Sequence, residues 1–389
     1  MLKIRRSLFL LLLTCFLFAC NKAKKELGIY DKYELIEHHK MKFPLDAQTS
    51  YRTFFANVYQ DSSHRDLLVF LSQNKPSIQF FDMASQKLFK EINLAIDGPD
   101  GVGEPTGLLT ISIDSVYVVS SSQYSVSLVN SSGKLLNSYR LLTGTTYNEN
   151  TGMLRPYTIS VPVKFNDLIY FNVAPDRDVY KPSYFQGSTN VSLDLSSGKY
   201  FYFNTYPDEF RKGVWGVASV SYSTTFNKDY QRFIYSFAIS DSLDIFEPKS
   251  GKRWRRFAGS RFINSRILPM SKPDNSHDLE YALETPYYGG VIYDKFQNLY
   301  YRFVRHAIPF KNERGEINGF HEKPISVILL DKDLKVIGET MLRNNVFLDY
   351  IYFVTKDGLF ISEGNPENSE LKEDIAAFTC FKAKQIEKK

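Results

Sequence analysis

The sequence has little cysteine, little tryptophan and a single long hydrophobic run. It carries three cysteines and two tryptophans in 389 residues. Cys15, Cys20 and Cys380 cannot form a disulfide framework, so a folded domain here has to rest on its apolar core. Beyond the N-terminal run no segment approaches the ~18 apolar residues of a membrane-spanning helix. Helical periodicity of 3.6 residues is scarce, which argues against a helical architecture. The motifs of several enzyme classes are missing too. There is no Gly-x-Ser-x-Gly elbow and no His-Glu-x-x-His pair. The glycines of "GPDGVGEPTG" (98–107) have the wrong order for a dinucleotide fingerprint. Gly133-Lys134 is not a phosphate loop, because Leu128 stands where the first Gly belongs and Leu135 follows the Lys. No motif calls for a cofactor or a metal.

What the N-terminus does have is a short leader. Lys3, Arg5 and Arg6 precede an apolar stretch, Ser7 to Phe18, which ends in Leu17-Phe18-Ala19-Cys20. This resembles a bacterial lipoprotein signal, in which the chain is cut before a Cys that then carries lipid. The resemblance implies a signal peptide at 1–19, lipid attachment at Cys20 and a polar tether over 20–32. Acyl chains on Cys20 would add about 0.8 kcal/mol of membrane affinity per buried CH₂. Cys380 would then be alone, in an apolar strand pattern that favours a buried thiol. Loss of the leader's three cations lowers the net charge from +5 to near +2. That is no footprint for nucleic acid.

The remainder is rich in Tyr, Phe, Val, Ile, Thr and Ser, residues that suit strands. Short alternating runs recur, broken by Gly, Asn, Asp and Ser. The clearest unit, 103–141, reads as four strands: 108–113, 116–120, 125–130 and 135–141. Its last turn, in "LVNSSGKLLNSYRL", has near-copies in "FFDMASQKLFKEI", "LDLSSGKYFYF", "IFEPKSGKRWRRF" and "LLDKDLKVIGETM". Similar units cover about 51–94, 157–206, 215–258, 281–342 and 345–384. The last is one strand short, and "YELIEHHKMKF" (33–43) is left over to complete it. The expected fold is all-β: one domain over 33–389, a six-bladed β-propeller of four-stranded antiparallel blades whose ring is closed by the N-terminal strand.

Chemistry-bearing residues are scattered. His38 and His39 are adjacent on an expected strand, which sends them to opposite faces. His277, in "PDNSHDLE", has Asp274, Asp278 and Glu280 close by and is a candidate ligand-binding or acid–base residue. Asp176 and Asp178 in "PDRD" lack a spaced calcium series. "KRWRRFAGSRF" (252–262) reads either as an anion-gripping strip or as a charged outer strand. Tyr301 and Arg302 must face opposite sides of their strand, so one of them is a candidate for a ligand-facing position.

The leader, the strand rhythm and "YDKFQNLYYRF" (293–303) together resemble domain of unknown function 4221, exported lipoproteins of Bacteroidota with a TolB-like six-bladed propeller. The resemblance implies the fold and supplies no catalytic residues. Lys22, Lys24 and Lys25 follow Cys20 where surface-exposed lipoproteins of this group carry acids, which implies the periplasmic face of the outer membrane. The function expected is a membrane-tethered propeller that binds or scaffolds a protein, peptide or glycan. The alternative is a propeller hydrolase or lyase, acting on glycans or lactones, with a site assembled from several blades.

Overall fold

In the computed structural model, residues 29–72, 74–142 and 151–387 are described. The expected leader, Cys20 and the tether up to residue 28 lie outside the described residues. β1 (Tyr33–Pro44) is followed by two regular four-stranded sheets. The first is β2 (Ala56–Gln60), β3 (Asp66–Ser72), β4 (Ser77–Asp82) and β5 (Lys87–Asn93). The second is β6 (Gly107–Ser112), β7 (Ser115–Ser120), β8 (Ser125–Val129) and β9 (Leu135–Arg140). A third sheet has five strands, β10 (Gly152–Leu154), β11 (Val163–Phe165), β12 (Leu168–Pro175), β13 (Ser188–Asp194) and β14 (Tyr200–Thr205). After the short helix α1 (Gly216–Ser219) comes a fourth sheet, β15 (Tyr222–Asn227), β16 (Arg232–Phe237), β17 (Ser242–Phe246) and β18 (Arg253–Phe257).

Helix α2 (Asp278–Glu284) leads into β19 (Tyr287–Asp294), β20 (Leu299–Arg305), β21 (Ile325–Leu330) and β22 (Val336–Met341). β23 (Tyr352–Thr355), β24 (Gly358–Ser362) and β25 (Ile375–Gln385) end the chain. The last seven strands and β1 form one eight-stranded sheet, in the order β19-β20-β21-β22-β1-β25-β24-β23. The fold is all-β and propeller-like. Among the described residues no helix is long and apolar enough to cross a membrane.

Burial explains why the strands alternate poorly. The second strand of each sheet is sandwiched between neighbouring sheets, so β3, β7, β16 and β20 are buried on both faces. The outer strands β5, β9 and β18 are largely exposed. Core clusters sit between successive sheets. Leu67, Val69 and Phe80 meet Leu108, Val116 and Val118. Likewise Phe43, Phe360 and Phe378 meet Leu68, Phe70 and Phe81, which brings the two ends of the chain's strand series together.

The repeated turn is the hairpin between third and fourth strands, and each of the five copies has one residue at positive φ. These are Gln86, Gly133, Gly198, Gly251 and Leu334. Gly133 needs its missing side chain doubly, because φ is +81° and a Cβ would sit 2.2 Å from the Asn93 carbonyl oxygen. The two exceptions have their own reasons. Gln86 Oε1 accepts a hydrogen bond from the Lys42 N–H of β1 at 2.7 Å, and Leu334 is buried in the core. An Asn or Asp three or four residues upstream caps each of four copies; Asn130 Oδ1, for instance, accepts from the N–H groups of Ser132 and Lys134.

β1 pairs antiparallel with β25 from Tyr33↔Gln385 to Pro44↔Ile375. It touches β22 in parallel at one register pair, Tyr33↔Gly338. The β1 ladder shifts register between Glu37 and His39. That bulge corrects the expectation for the two histidines, because an extra residue cancels the alternation. His38 and His39 turn to the same side, with Nδ1 atoms 2.8 Å apart.

Candidate functional site

Two faces follow from strand direction. First-to-second and third-to-fourth strand hairpins share one end of the sheets. The second-to-third links and the long connections between sheets share the other, which we call the loop face. The first strands converge on the axis, where β2 packs on β23, β23 on β19, and β19 on β15.

The axis is crossed by residues 155–162, which interrupt the first strand of the third sheet between β10 and β11. Thr158 ties this crossing segment down. Its N–H donates to Phe54 O at 2.9 Å. Its hydroxyl accepts from the Ala56 N–H at 2.7 Å and donates to Ala56 O at 3.1 Å. Ser223 Oγ donates to Ile159 O at 2.6 Å. Pro156 lies over Gly107, where a Cβ would meet its carbonyl oxygen at 1.8 Å. Pro156 and Pro162 bracket the segment and keep it from continuing a strand. It therefore borrows its hydrogen bonds from the neighbouring sheets.

At its loop-face end the segment presents an aromatic platform. Phe54, which is 54 % exposed, lies 6.0 Å from the Tyr157 ring and 6.2 Å from Tyr350. The three rings come from three separate connections. Arg155 Cζ is 5.9 Å from the Tyr157 ring, and Arg52 Nε donates to Tyr51 Oη at 2.9 Å. Arg155 Nε is buried and makes no hydrogen bond. A small cavity of about 40 Å³ opens beside it, lined by Arg155, Tyr157, Asn172, Tyr184 and Tyr222. Burial raises the Tyr350 pKa to about 12, helped by Asp349, so its hydroxyl stays a neutral donor.

Beside the platform lies a buried ion network. Asp349 binds Arg305 through both oxygens, at 2.5 and 3.2 Å. Arg305 also donates to Phe320 O at 3.0 Å and stacks on that ring at 4.7 Å. Burial opposes the charge of Arg305, but Asp349 and Tyr287 outweigh it and raise its pKa. Lys323 donates to the carbonyls of Ala282 and Thr285, the C-terminal end of α2. Burial, with Arg305 adding to it, lowers its pKa to about 7. These contacts fix α2 and the 306–324 connection as parts of one wall.

The residues singled out by sequence fall elsewhere. Tyr301 and Arg302 are both fully buried, which corrects the ligand-facing expectation. The reason is that β20 is covered on both sides. Arg302 instead reaches the fourth sheet, donating to Ser236 Oγ at 3.0 Å, Ala258 O at 2.9 Å and Ser240 O at 2.7 Å. Tyr301 Oη donates to Asp294 Oδ2 at 3.1 Å. His277 lies in the wall of a groove of about 520 Å³ with Glu280, Tyr281 and Glu284. Its Nδ1 is 2.8 Å from Asp274 Oδ1. Arg253 and Arg255 of the basic strip sit on outer strand β18, where Arg255 is held by Glu209 and Asp244. Asp176 accepts from Tyr124 Oη, and Asp178 pairs with Lys181. Cys380 is buried, and burial pushes its thiol up to about 12. Among the described residues no three or more His, Cys, Asp or Glu side chains are grouped to hold a metal. The platform itself escaped sequence reasoning, because its rings are far apart in sequence.

Comparison with known proteins adds a family and a fold. The family model "Domain of unknown function (DUF4221)" matches residues 32–341. A crystal structure of a member of that family from Bacteroides vulgatus superposes with a TM-score of 0.78 at 24 % identity, over 92 % of this chain and 99 % of the other. A Bacteroides fragilis protein described as exported superposes with a TM-score of 0.52 at 10 % identity, over 93 % and 98 % of the two chains. No curated protein matches the chain.

Proposed function

This chain belongs to the DUF4221 family, a domain of unknown function, and with that as premise we propose that it is a membrane-tethered binding propeller. We read the eight-stranded sheet as two four-stranded blades that meet at one rung, Tyr33↔Gly338. This gives a TolB-like ring of six, closed by β1. The described relative from Bacteroides fragilis supports an exported protein, and the Leu17–Cys20 pattern supports a lipid on Cys20, after a signal at 1–19 and before a tether at 20–32. The propeller then covers 33–389, and the anchor holds it at the periplasmic face of an outer membrane of the Bacteroidota type.

The binding surface is the platform of Phe54, Tyr157 and Tyr350. The observation that carries this reading is the buried, unpartnered Arg155 Nε beside the exposed Phe54 ring and the half-buried Tyr157 and Tyr350 rings at the axis. A buried donor without an acceptor costs about 1–3 kcal/mol, and a ligand oxygen would recover it. Flat ring faces and guanidinium groups together suit an acidic glycan, whose sugar faces stack while its carboxylate meets Arg155. A glycan array probed with wild type, Phe54→Ala/Tyr157→Ala and Arg155→Gln tests it. Binding to uronic-acid glycans that falls at least tenfold in both variants is expected. Retention by an acidic peptide instead would move the proposal to a peptide partner. Equal binding by all three proteins would overturn it.

A second reading, an enzyme, rests on one observation. Asp274 orients His277 through Nδ1, leaving Nε2 available to the groove that Glu280 and Glu284 also line. Turnover of glycans or lactones that disappears in His277→Ala and persists in Arg155→Gln would favour it.

A further inference from the structure

The face opposite the platform has a chemistry of its own. Every third-to-fourth strand hairpin places a lysine directly after its positive-φ residue: Lys87, Lys134, Lys199, Lys252 and Lys335. All five are exposed. Strand direction puts them at one end of the molecule and the fold spaces them around its rim. Several carboxylates at this end are tied back to the chain's own N–H groups. Asp194 Oδ1 accepts from the N–H groups of Ser196 and Ser197, and Asp331 Oδ1 from those of Asp333 and Lys335. Asp82 and Asp114 accept in the same way from Ser85 and Ser131. Asp333, in the last of these turns, is exposed and paired with Lys332, and Asp167 and Asp229 are exposed at the same end; the five lysines project outward among them. Exposed apolar side chains stand within two residues of three of them. Leu88 is 48 %, Leu136 53 % and Phe201 69 % exposed. Nearer the axis, Lys228 and Lys295 line a cavity of about 320 Å³ at the same end together with Asp66 and Asp229, beside exposed Phe296.

The N-terminus leaves from this face. The Ile29 N–H donates to Val336 O at 3.1 Å, one residue beyond Lys335. β1 starts at the hairpin end, since it runs parallel to β22. Cys20 precedes Ile29 by nine residues, a reach of at most about 30 Å.

From this placement we infer that the hairpin face is a docking surface for anionic lipid headgroups, with the lysine rim meeting phosphates and the flanking apolar side chains reaching the interface. The inference rests on the lipid-anchor reading only for bringing the face to the membrane. It fixes the orientation: the aromatic platform points away from the bilayer. Each lysine near an anionic surface contributes about fivefold in affinity, reduced by salt.

The test uses the full-length protein purified with its lipid and reconstituted in vesicles of phosphatidylethanolamine with one third phosphatidylglycerol, or in pure phosphatidylcholine. Amine acetylation is read by peptide mass spectrometry, and intact mass reports the lipid on Cys20. On the anionic vesicles Lys87, Lys134, Lys199 and Lys335 are expected to label at least threefold less than in phosphatidylcholine. Lys181, Lys272 and Lys311 on the loop face should label equally in both. A variant with Lys87, Lys134, Lys199 and Lys335 all changed to Gln should lose the protection of Lys252. A lipidated protein whose two faces label alike on anionic vesicles overturns the inference. A protein without lipid on Cys20 that still shows hairpin-face protection upholds the inference and refutes the anchor.

Discussion

Arg302 offers the sharpest test of how the sheets are held together. It is a fully buried guanidinium that crosses from β20 to the fourth sheet and donates three hydrogen bonds there. Burial pulls its pKa from 12.5 down to about 10. At 1.36 kcal/mol for each tenfold change in proton affinity, that is a desolvation cost of about 3 kcal/mol. Three bonds from a charged donor contribute about 1.5–3 kcal/mol each, which exceeds that cost. The ring of Tyr288, 4.0 Å from Cζ, adds a cation–π contact. Arg302→Ala removes the donors and leaves a cavity, so a loss of about 3–5 kcal/mol is expected. Arg302→Met keeps most of the volume but none of the donors, and about 2–4 kcal/mol should go. Urea unfolding reads both, with fluorescence from Trp215 and Trp254, which lie in and around the fourth sheet. A Met variant within about 0.5 kcal/mol of wild type would refute the reasoning, since packing alone would then hold the two sheets.

Two further outcomes follow from geometry and charge. Gly251→Ala, with φ at +70° and nothing within 4 Å of the new Cβ, should cost only the left-handed penalty, about 1 kcal/mol. Gly133→Ala adds the clash with Asn93 O, for about 2–3 kcal/mol in total, and paired urea midpoints separate the two effects. Burial, then Lys323, holds the His306 pKa near 4 instead of 6.5. Between those values the unfolded chain binds more protons, so this contribution is full above pH 6.5 and falls as pH drops toward 4. Discounted for partial exposure, it is on the order of 2 kcal/mol. His306→Gln should make the urea midpoint less sensitive to a change from about pH 7.5 to pH 4.5; an unchanged pH dependence would contradict the assignment.

The strands and their hairpins were legible because they depend on local rules. Alternation, Gly at positive φ and an Asn or Asp cap each act within a few residues, so the unit at 103–141 matches β6 to β9 within a residue or two. The missing fourth strand of the last unit was legible by counting, and β1 pairs with β25 as expected. What failed was any inference from facing. Tyr301 and Arg302 do alternate, but β20 is enclosed by sheets on both sides, so alternation says nothing about exposure. His38 and His39 do not alternate, because a bulge depends on the partner strand. The crossing segment gave no sign of itself, since Thr158 finds its acceptors only when Phe54 and Ala56, more than a hundred positions away, arrive.

The pairing of β1 with β25 has a consequence for how the molecule is made. Pro44 and Ile375 are 331 residues apart, and joining ends at that separation costs about 5 kcal/mol in loop entropy. β1 has to wait for β25, the last of the described strands. Until then its backbone edge and Phe43 stay unsatisfied, however well the intervening sheets have formed. A chain truncated anywhere before residue 375 therefore displays its own incompleteness, as a free strand near its N-terminus that proteases and chaperones can grip. Closure of this sheet is in that sense a check that residues 375–385 have been made.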